Sequence, residues 1–144
     1  MFSKIVVVLN DLPESQRALH TAIEIATSFK SSLATVSVLG DLPAYASFAI
    51  VADPSAPEAM REARRTLHGE LHQKAAELAH KSGVQTHSAI VEDREVEAVL
   101  RYLREEKAEL LVLGLHQHDF YLSRLWSSVY DLAKDAPCSV LGVH

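Results

Sequence analysis

Hydrophobic positions along the chain follow two alternating periods. Residues 4–9 (KIVVVL) are a continuous, mostly β-branched run, as in a strand buried on both faces of a parallel sheet, and predict a central strand. Over residues 13–30 the apolar positions Ala18, Ala22, Ile25 and Phe29 return at helical spacing while Arg17 and Glu24 fall elsewhere, which predicts a first helix. Residues 33–39 (LATVSVL) predict a second strand, and residues 40–57, with Pro43, Pro54 and Pro57 among small residues, a long surface loop. Met60, Ala63, Leu67, Leu71, Ala75 and Leu78 then mark the stripe of a long amphipathic helix that stops at Gly83, because glycine adopts left-handed torsions cheaply beyond a helix end. His68 and His72, one turn apart, have the spacing of a metal-binding pair, but helical spacing also produces this by chance on an exposed face beside Glu70, and they read as surface residues. Residues 84–91 resume a strand, and Val96, Val99, Leu100 and Leu103 define a third helix. Residues 109–113 (ELLVL) form a fourth buried strand ending at Gly114. A final helix over residues 127–134, with Ser127 or Ser128 as N-cap and Asp131 in a capping-box role, leads to a last strand at residues 139–143.

This alternation, without repeats or internal linkers, predicts an α/β fold: an open parallel five-stranded sheet with helices on both faces, one domain over residues 1–144. A chain of 144 residues buries roughly two-thirds of its unfolded surface and needs no disulfide or metal to fold.

Composition narrows the function. The glycines are Gly40, Gly69, Gly83, Gly114 and Gly142, too far apart for a Walker A loop or a dinucleotide fingerprint. With 14 basic and 19 acidic residues the net charge is −5, with no basic cluster of the kind that binds nucleic acid. The single cysteine, Cys138, lies in an apolar run and suits a reducing compartment. Residues 1–8 lack the features of a signal peptide, and no apolar run approaches the ~20 residues of a membrane span, so the expectation is a cytoplasmic protein with no membrane partner.

Open parallel sheets bind ligands beyond the carboxyl ends of their strands, where strand order reverses. That rule selects Asn10, Asp11 and Leu12 after the first strand, and Gly114, Leu115, His116, Gln117, His118, Asp119, Phe120 and Tyr121 after the fourth. A helix start at Ser127 and Ser128 would add an anion site through its free amides.

At these segments the chain resembles the universal stress protein family. Residues 4–19 (KIVVVLNDLPESQRAL) match the family's opening strand, turn and helix without a gap. Residues 109–114 (ELLVLG) resemble the entry to its signature, and residues 127–143 (SSVYDLAKDAPCSVLGV) its closing helix and strand. The family's nucleotide-binding branch holds phosphates with G-x-x-G, nine further residues, then G-S or G-T. The corresponding residues here are Gly114, Gln117, Ser127 and Ser128. The spacing and the terminal serine are kept, and two of three glycines are gone. The family's ribose-contacting aspartate corresponds to Asn10, and its G-x-P adenine stretch to Asp93, Arg94 and Glu95. By contrast, H-Q-x-D-F within residues 116–120 and the serine pair resemble the founding subgroup, which lacks the glycine signature.

Other chemistry is weighed against simpler roles. His116, His118 and Asp119 offer metal-type ligands on one loop, but no third or fourth partner is assured, and no metal site is assigned. Ser123, Ser127 and Ser128 lie near His116 without a nucleophile elbow, so no catalytic residue is assigned, and Cys138 reads as structural. Phe120, Tyr121 and Trp126 read as loop packing, and Arg124 as either a phosphate contact or a solvated residue. The last strand, with Ser139, Val140, Leu141 and Val143, would leave an apolar edge unless paired. The resemblance implies that it pairs with its symmetry mate in a homodimer. Two readings follow. In the first, the protein is a homodimeric regulatory or binding module of the stress response, acting through protein partners, with a degenerate nucleotide site. In the second, Asn10, Asp11, Gly114, His116, Gln117, Arg124, Ser127 and Ser128 still frame a site for ATP, with slow hydrolysis.

Overall fold

The computed structural model describes residues 2–39, 53–92, 95–115 and 131–144. Five strands, β1 (Lys4–Val8), β2 (Ser32–Val38), β3 (Thr86–Val91), β4 (Leu110–Gly114) and β5 (Ser139–Val143), form one sheet in the order β3-β2-β1-β4-β5. Every pairing is parallel. Among the described residues the helices are α1 (Pro13–Phe29), α2 (Ala56–Lys81) and α3 (Glu95–Glu105), and residues 131–135 are also helical. Among the described residues no helix is long and apolar enough to cross a membrane.

Period-two geometry divides the core into two layers. Ile5, Val7 and Leu9 pack with Leu33, Leu110 and Val112 against α1 and against Ala75 and Ala79 of α2. Val6, Ala34, Val36, Leu111 and Leu113 point the other way, against Val99, Leu100 and Leu103 of α3 and against Leu132. Around β1 and β4 both layers are apolar, so those two strands read as unbroken hydrophobic runs, and β1 is central as expected.

Local chemistry sets the boundaries. Pro13 starts α1 behind an extended Leu12, and Lys30 ends it in a left-handed turn whose N–H bonds the Ala26 carbonyl. Gly83 follows α2 at φ +73°, the conformation its position predicts. The third strand begins at Thr86 rather than residue 84, although Val84 is buried. Phe29 is half-exposed and stacks edge-on against Phe2, with ring centroids 5.8 Å apart.

The phase of α2 departs from expectation. Its buried positions are His68, His72, Ala75 and Ala79, whereas Leu67 is 42% exposed. His68 and His72, expected on the surface, are 9% and 5% exposed. The helix is rotated because β2 presents two hydroxyls, Thr35 and Ser37, to this layer, and an imidazole satisfies them where a leucine would leave them unpaired.

Candidate functional site

Strand order reverses between β1 and β4, so the turn after β1 and the end of β4 meet at the carboxyl edge of the sheet. The turn is held by its own side chains. Asn10 Oδ1 accepts the Leu12 N–H at 2.9 Å, and the Asn10 N–H donates to Ser15 Oγ at 2.9 Å. The buried Ser15 hydroxyl in turn donates to the Val8 carbonyl at 3.3 Å. This closes an Asx turn that launches α1. Asn10 is half-buried, and Asp11 is exposed at the tip.

Gly114 stands where α1 crosses β4. A Cβ built on it would lie 2.6 Å from both the carbonyl carbon and the carbonyl oxygen of Glu14 and 2.7 Å from the Glu14 Cβ. The first turn of α1 packs directly on the end of β4, and only glycine leaves room for it. Leu115 continues the ladder, its N–H donating to the Val143 carbonyl at 2.6 Å, and Arg17 Nε donates to the His144 carbonyl at 2.8 Å.

The buried histidines lie on the β2 side of the same edge. His72 Nδ1 is 2.6 Å from Thr35 Oγ1, and His72 Nε2 is 2.8 Å from Ser37 Oγ. The tautomer follows from the hydroxyl protons. Ser37 donates to the Leu9 carbonyl at 2.9 Å, so its oxygen accepts from Nε2–H, and Nδ1 accepts from Thr35. Thr35's alternative acceptor, the His87 carbonyl, is 3.4 Å away, too long to compete. Burial, followed by the neighbouring His68, lowers the His72 pKa to about 4, so the ring is neutral at pH 7. Burial also lowers the His68 pKa, opposed by the Asp11 carboxylate and assisted by Arg64. His68 Nδ1 is buried and has no hydrogen-bond partner among the described residues.

Of the residues selected by sequence, Asn10, Asp11 and Gly114 converge at this edge. His116, Gln117, Arg124, Ser127 and Ser128 lie outside the described residues, as do His118, Asp119, Phe120, Tyr121, Ser123, Trp126, Asp93 and Arg94. Among the described residues no three His, Cys, Asp or Glu side chains converge as metal ligands. Sequence reasoning missed His68, His72, Thr35 and Ser37. The available signal was the pair of hydroxyls two residues apart in an otherwise apolar strand, which requires a polar partner from the covering helix.

β5 is the far edge of the sheet, paired on one side with β4. Ser139 N–H and the Val143 carbonyl point to β4, so the alternation of parallel strands turns the N–H and C=O of Val140 and Gly142 outward. Cys138 precedes this strand and is half-buried, and burial raises its thiol pKa.

Comparison with known proteins gives a consistent picture. The profile described as "Universal stress protein family" matches residues 1–144. A protein of that family from Burkholderia pseudomallei has a similar structure, with TM-score 0.77 and 27% identity over 99% of this chain and 96% of that one. A universal stress protein from Lactobacillus plantarum superposes with TM-score 0.80 at 18% identity, covering 99% of this chain and 98% of its own. One from Archaeoglobus fulgidus, solved in complex with dAMP, gives TM-score 0.66 at 19% identity, covering 99% and 98%. A search of the curated proteins finds no match.

Proposed function

The chain belongs to the universal stress protein family, and from that premise we propose that it acts as a homodimeric binding module of the stress response, working through protein contacts, with the phosphate half of its nucleotide site degenerate. The observation that carries this reading is at Gly114. It is the one residue of the family's three phosphate-loop glycines that this chain keeps, and the backbone of Glu14, 2.6 Å from its would-be Cβ, requires glycine there whether or not a nucleotide binds. Its retention is therefore a packing requirement rather than a phosphate signature. Asn10 supports the same conclusion, since its amide oxygen is engaged in closing the turn and supplies no carboxylate to a ribose. The open edge of β5 supports self-pairing, as the outward groups of Val140 and Gly142 are satisfied when two such edges meet about a two-fold axis.

Light scattering of the purified protein at micromolar concentration tests the dimer, and analysis of nucleotide released on denaturation tests the degenerate site. A dimer carrying no nucleotide is expected. A monomer would remove the edge-pairing reading. ATP or AMP near one equivalent per chain would replace the degenerate site with the second reading, in which Gly114, Ser127 and Ser128 hold a nucleotide, as the dAMP complex of the A. fulgidus relative makes reasonable.

A further inference from the structure

We propose that β3 is a second self-pairing edge of this protein: two copies join antiparallel at β3 about a two-fold axis through Ser88, with their α2 helices meeting beside it. The proposal goes beyond the dimer through β5 and does not depend on it.

β3 closes the sheet on the side opposite β5, and among the described residues it pairs only with β2. The Leu33 N–H donates to the Gln85 carbonyl at 3.1 Å and the Leu39 N–H to the Val91 carbonyl at 2.8 Å, so the odd-numbered residues of this segment face β2. Parallel alternation then turns the N–H and C=O of Thr86, Ser88 and Ile90 outward. The register with β2 runs unbroken from Thr86 to Val91. Over that length the strand (THSAIV) holds no lysine, proline or carboxylate, the side chains that keep an edge from pairing.

α2 leaves room beside this edge. Gly69, Gln73 and Ala76 of α2, with Ser88 and Ile90 of β3, line a depression of about 450 Å3 in which Ile90 is 37% exposed. No atom lies within 4 Å of a Cβ built on Gly69, so packing within the chain does not account for a mid-helix glycine that weakens the helix relative to alanine. The level of the axis follows from the register. His72 bonds Ser37, which pairs with Ile90, and Ser88 lies two residues back along β3, roughly 7 Å. α2 runs antiparallel to β3, so about four residues further along the helix Ala76 stands level with Ser88. A two-fold axis normal to the sheet there sets Ser88 opposite its own copy and Thr86 opposite Ile90, each pair exchanging N–H···O=C bonds in both directions. It also sets Ala76 against Ala76, where small side chains allow the helices to approach.

The charges fit a second copy as the occupant. His87 faces Ala89, Gln85 faces Val91, and Glu92, paired with Arg65 at 2.5 Å, faces Val84. A chain of net charge −5 therefore meets itself along β3 without opposing two carboxylates. Because β3 and β5 lie at opposite ends of the sheet, two-fold pairing at both builds an open row rather than a closed ring.

The test is sedimentation velocity of the full-length protein from about 10 µM to about 1 mM, for wild type, Ser88→Glu, Ser88→Lys and an equimolar mixture of the two variants. Ser88 is exposed, so each variant should melt within about 2 °C of wild type. Wild type should form species larger than the β5 dimer as concentration rises. Each variant alone opposes like charges at the axis and should need a concentration about tenfold higher or more to reach the same size. The mixture opposes glutamate to lysine and should assemble as readily as wild type. Such recovery requires position 88 of one copy to face position 88 of the other, and a general change in solubility or folding would not produce it. A size distribution that Ser88→Glu leaves unchanged overturns the proposal and leaves this edge to a strand of another protein, and a mixture that does not recover overturns it too. Val140→Pro, altered only at β5, should keep the association that depends on Ser88, so failure of the β5 dimer and failure of the β3 pairing are read separately.

Discussion

His72 makes the stability of this protein acid-sensitive in a way that can be worked out from its surroundings. Its ring is neutral, 5% exposed and bonded through both nitrogens to β2 hydroxyls, with a pKa of about 4 in place of the ordinary 6.5. Between those values the unfolded chain holds a proton that the folded chain refuses, so stability is complete above pH 6.5 and falls as pH drops towards 4. The full difference corresponds to about 3 kcal/mol, of which about 2 kcal/mol is lost by about pH 5. For a domain of this size that equals roughly 6 °C in Tm. The perturbation is His72→Gln, which keeps a hydrogen-bonding group near the Ser37 hydroxyl and cannot titrate. At pH 7.5 it should cost about 1 kcal/mol. Urea unfolding of both proteins at pH 7.5 and 5 then reads the effect, and the gap between them should change by about 2 kcal/mol in favour of the glutamine variant as pH falls. His68, whose pKa is also lowered, titrates in both proteins and cancels from the difference. Equal loss of stability in the two proteins over this range would refute the argument, because it would mean that the buried ring accepts a proton without cost.

Three further outcomes are expected. Gly114→Ala places a methyl group 2.6 Å from the Glu14 backbone, so α1 must shift and the protein should lose about 2–3 kcal/mol in urea unfolding with no nucleotide present. Unchanged stability would return Gly114 to a ligand role. Val140→Pro removes an N–H that faces away from β4, so the fold should persist while the dimer dissociates about tenfold or more weakly by light scattering, and an unaffected dimer would place the interface elsewhere. Cys138, half-buried with a raised thiol pKa, should react with an aromatic disulfide at pH 7.5 more slowly than free cysteine, and a faster reaction would contradict the packing around it.

Sequence was most informative where burial is symmetrical. β1 and β4 were legible to within a residue, because a strand covered on both faces leaves an unbroken apolar run, and Gly83 stands where a left-handed cap is required. β5, a partly buried edge strand, was legible from the alternation of helix and strand. The phase of α2 was not legible. Leu67, Leu71 and Leu78 made the more hydrophobic stripe, and histidine counts as polar in any periodicity. What rotates the helix is the demand of Thr35 and Ser37 on another element, a pairing between residues 35 or more positions apart in sequence. The candidate site was half legible for the same reason. Asn10, Asp11 and Gly114 follow strands directly, whereas His68 reaches the edge only through the tertiary registration of α2.

The consequence for function lies in how the two halves of the edge are tied to the fold. On the β4 side, the packing of α1 requires glycine at position 114 whether or not a ligand binds. On the β2 side, the Leu9 carbonyl, Ser37, His72 and Thr35 form one continuous hydrogen-bonded chain from the end of β1 into α2. These bonds tie the end of β1 to the His72 turn of α2 through β2. His68, one turn earlier in α2, lies outside this chain, its Nδ1 without a hydrogen-bond partner among the described residues. Packing alone accounts for Gly114, and the nucleotide released on denaturation is therefore the measurement on which the proposed function turns.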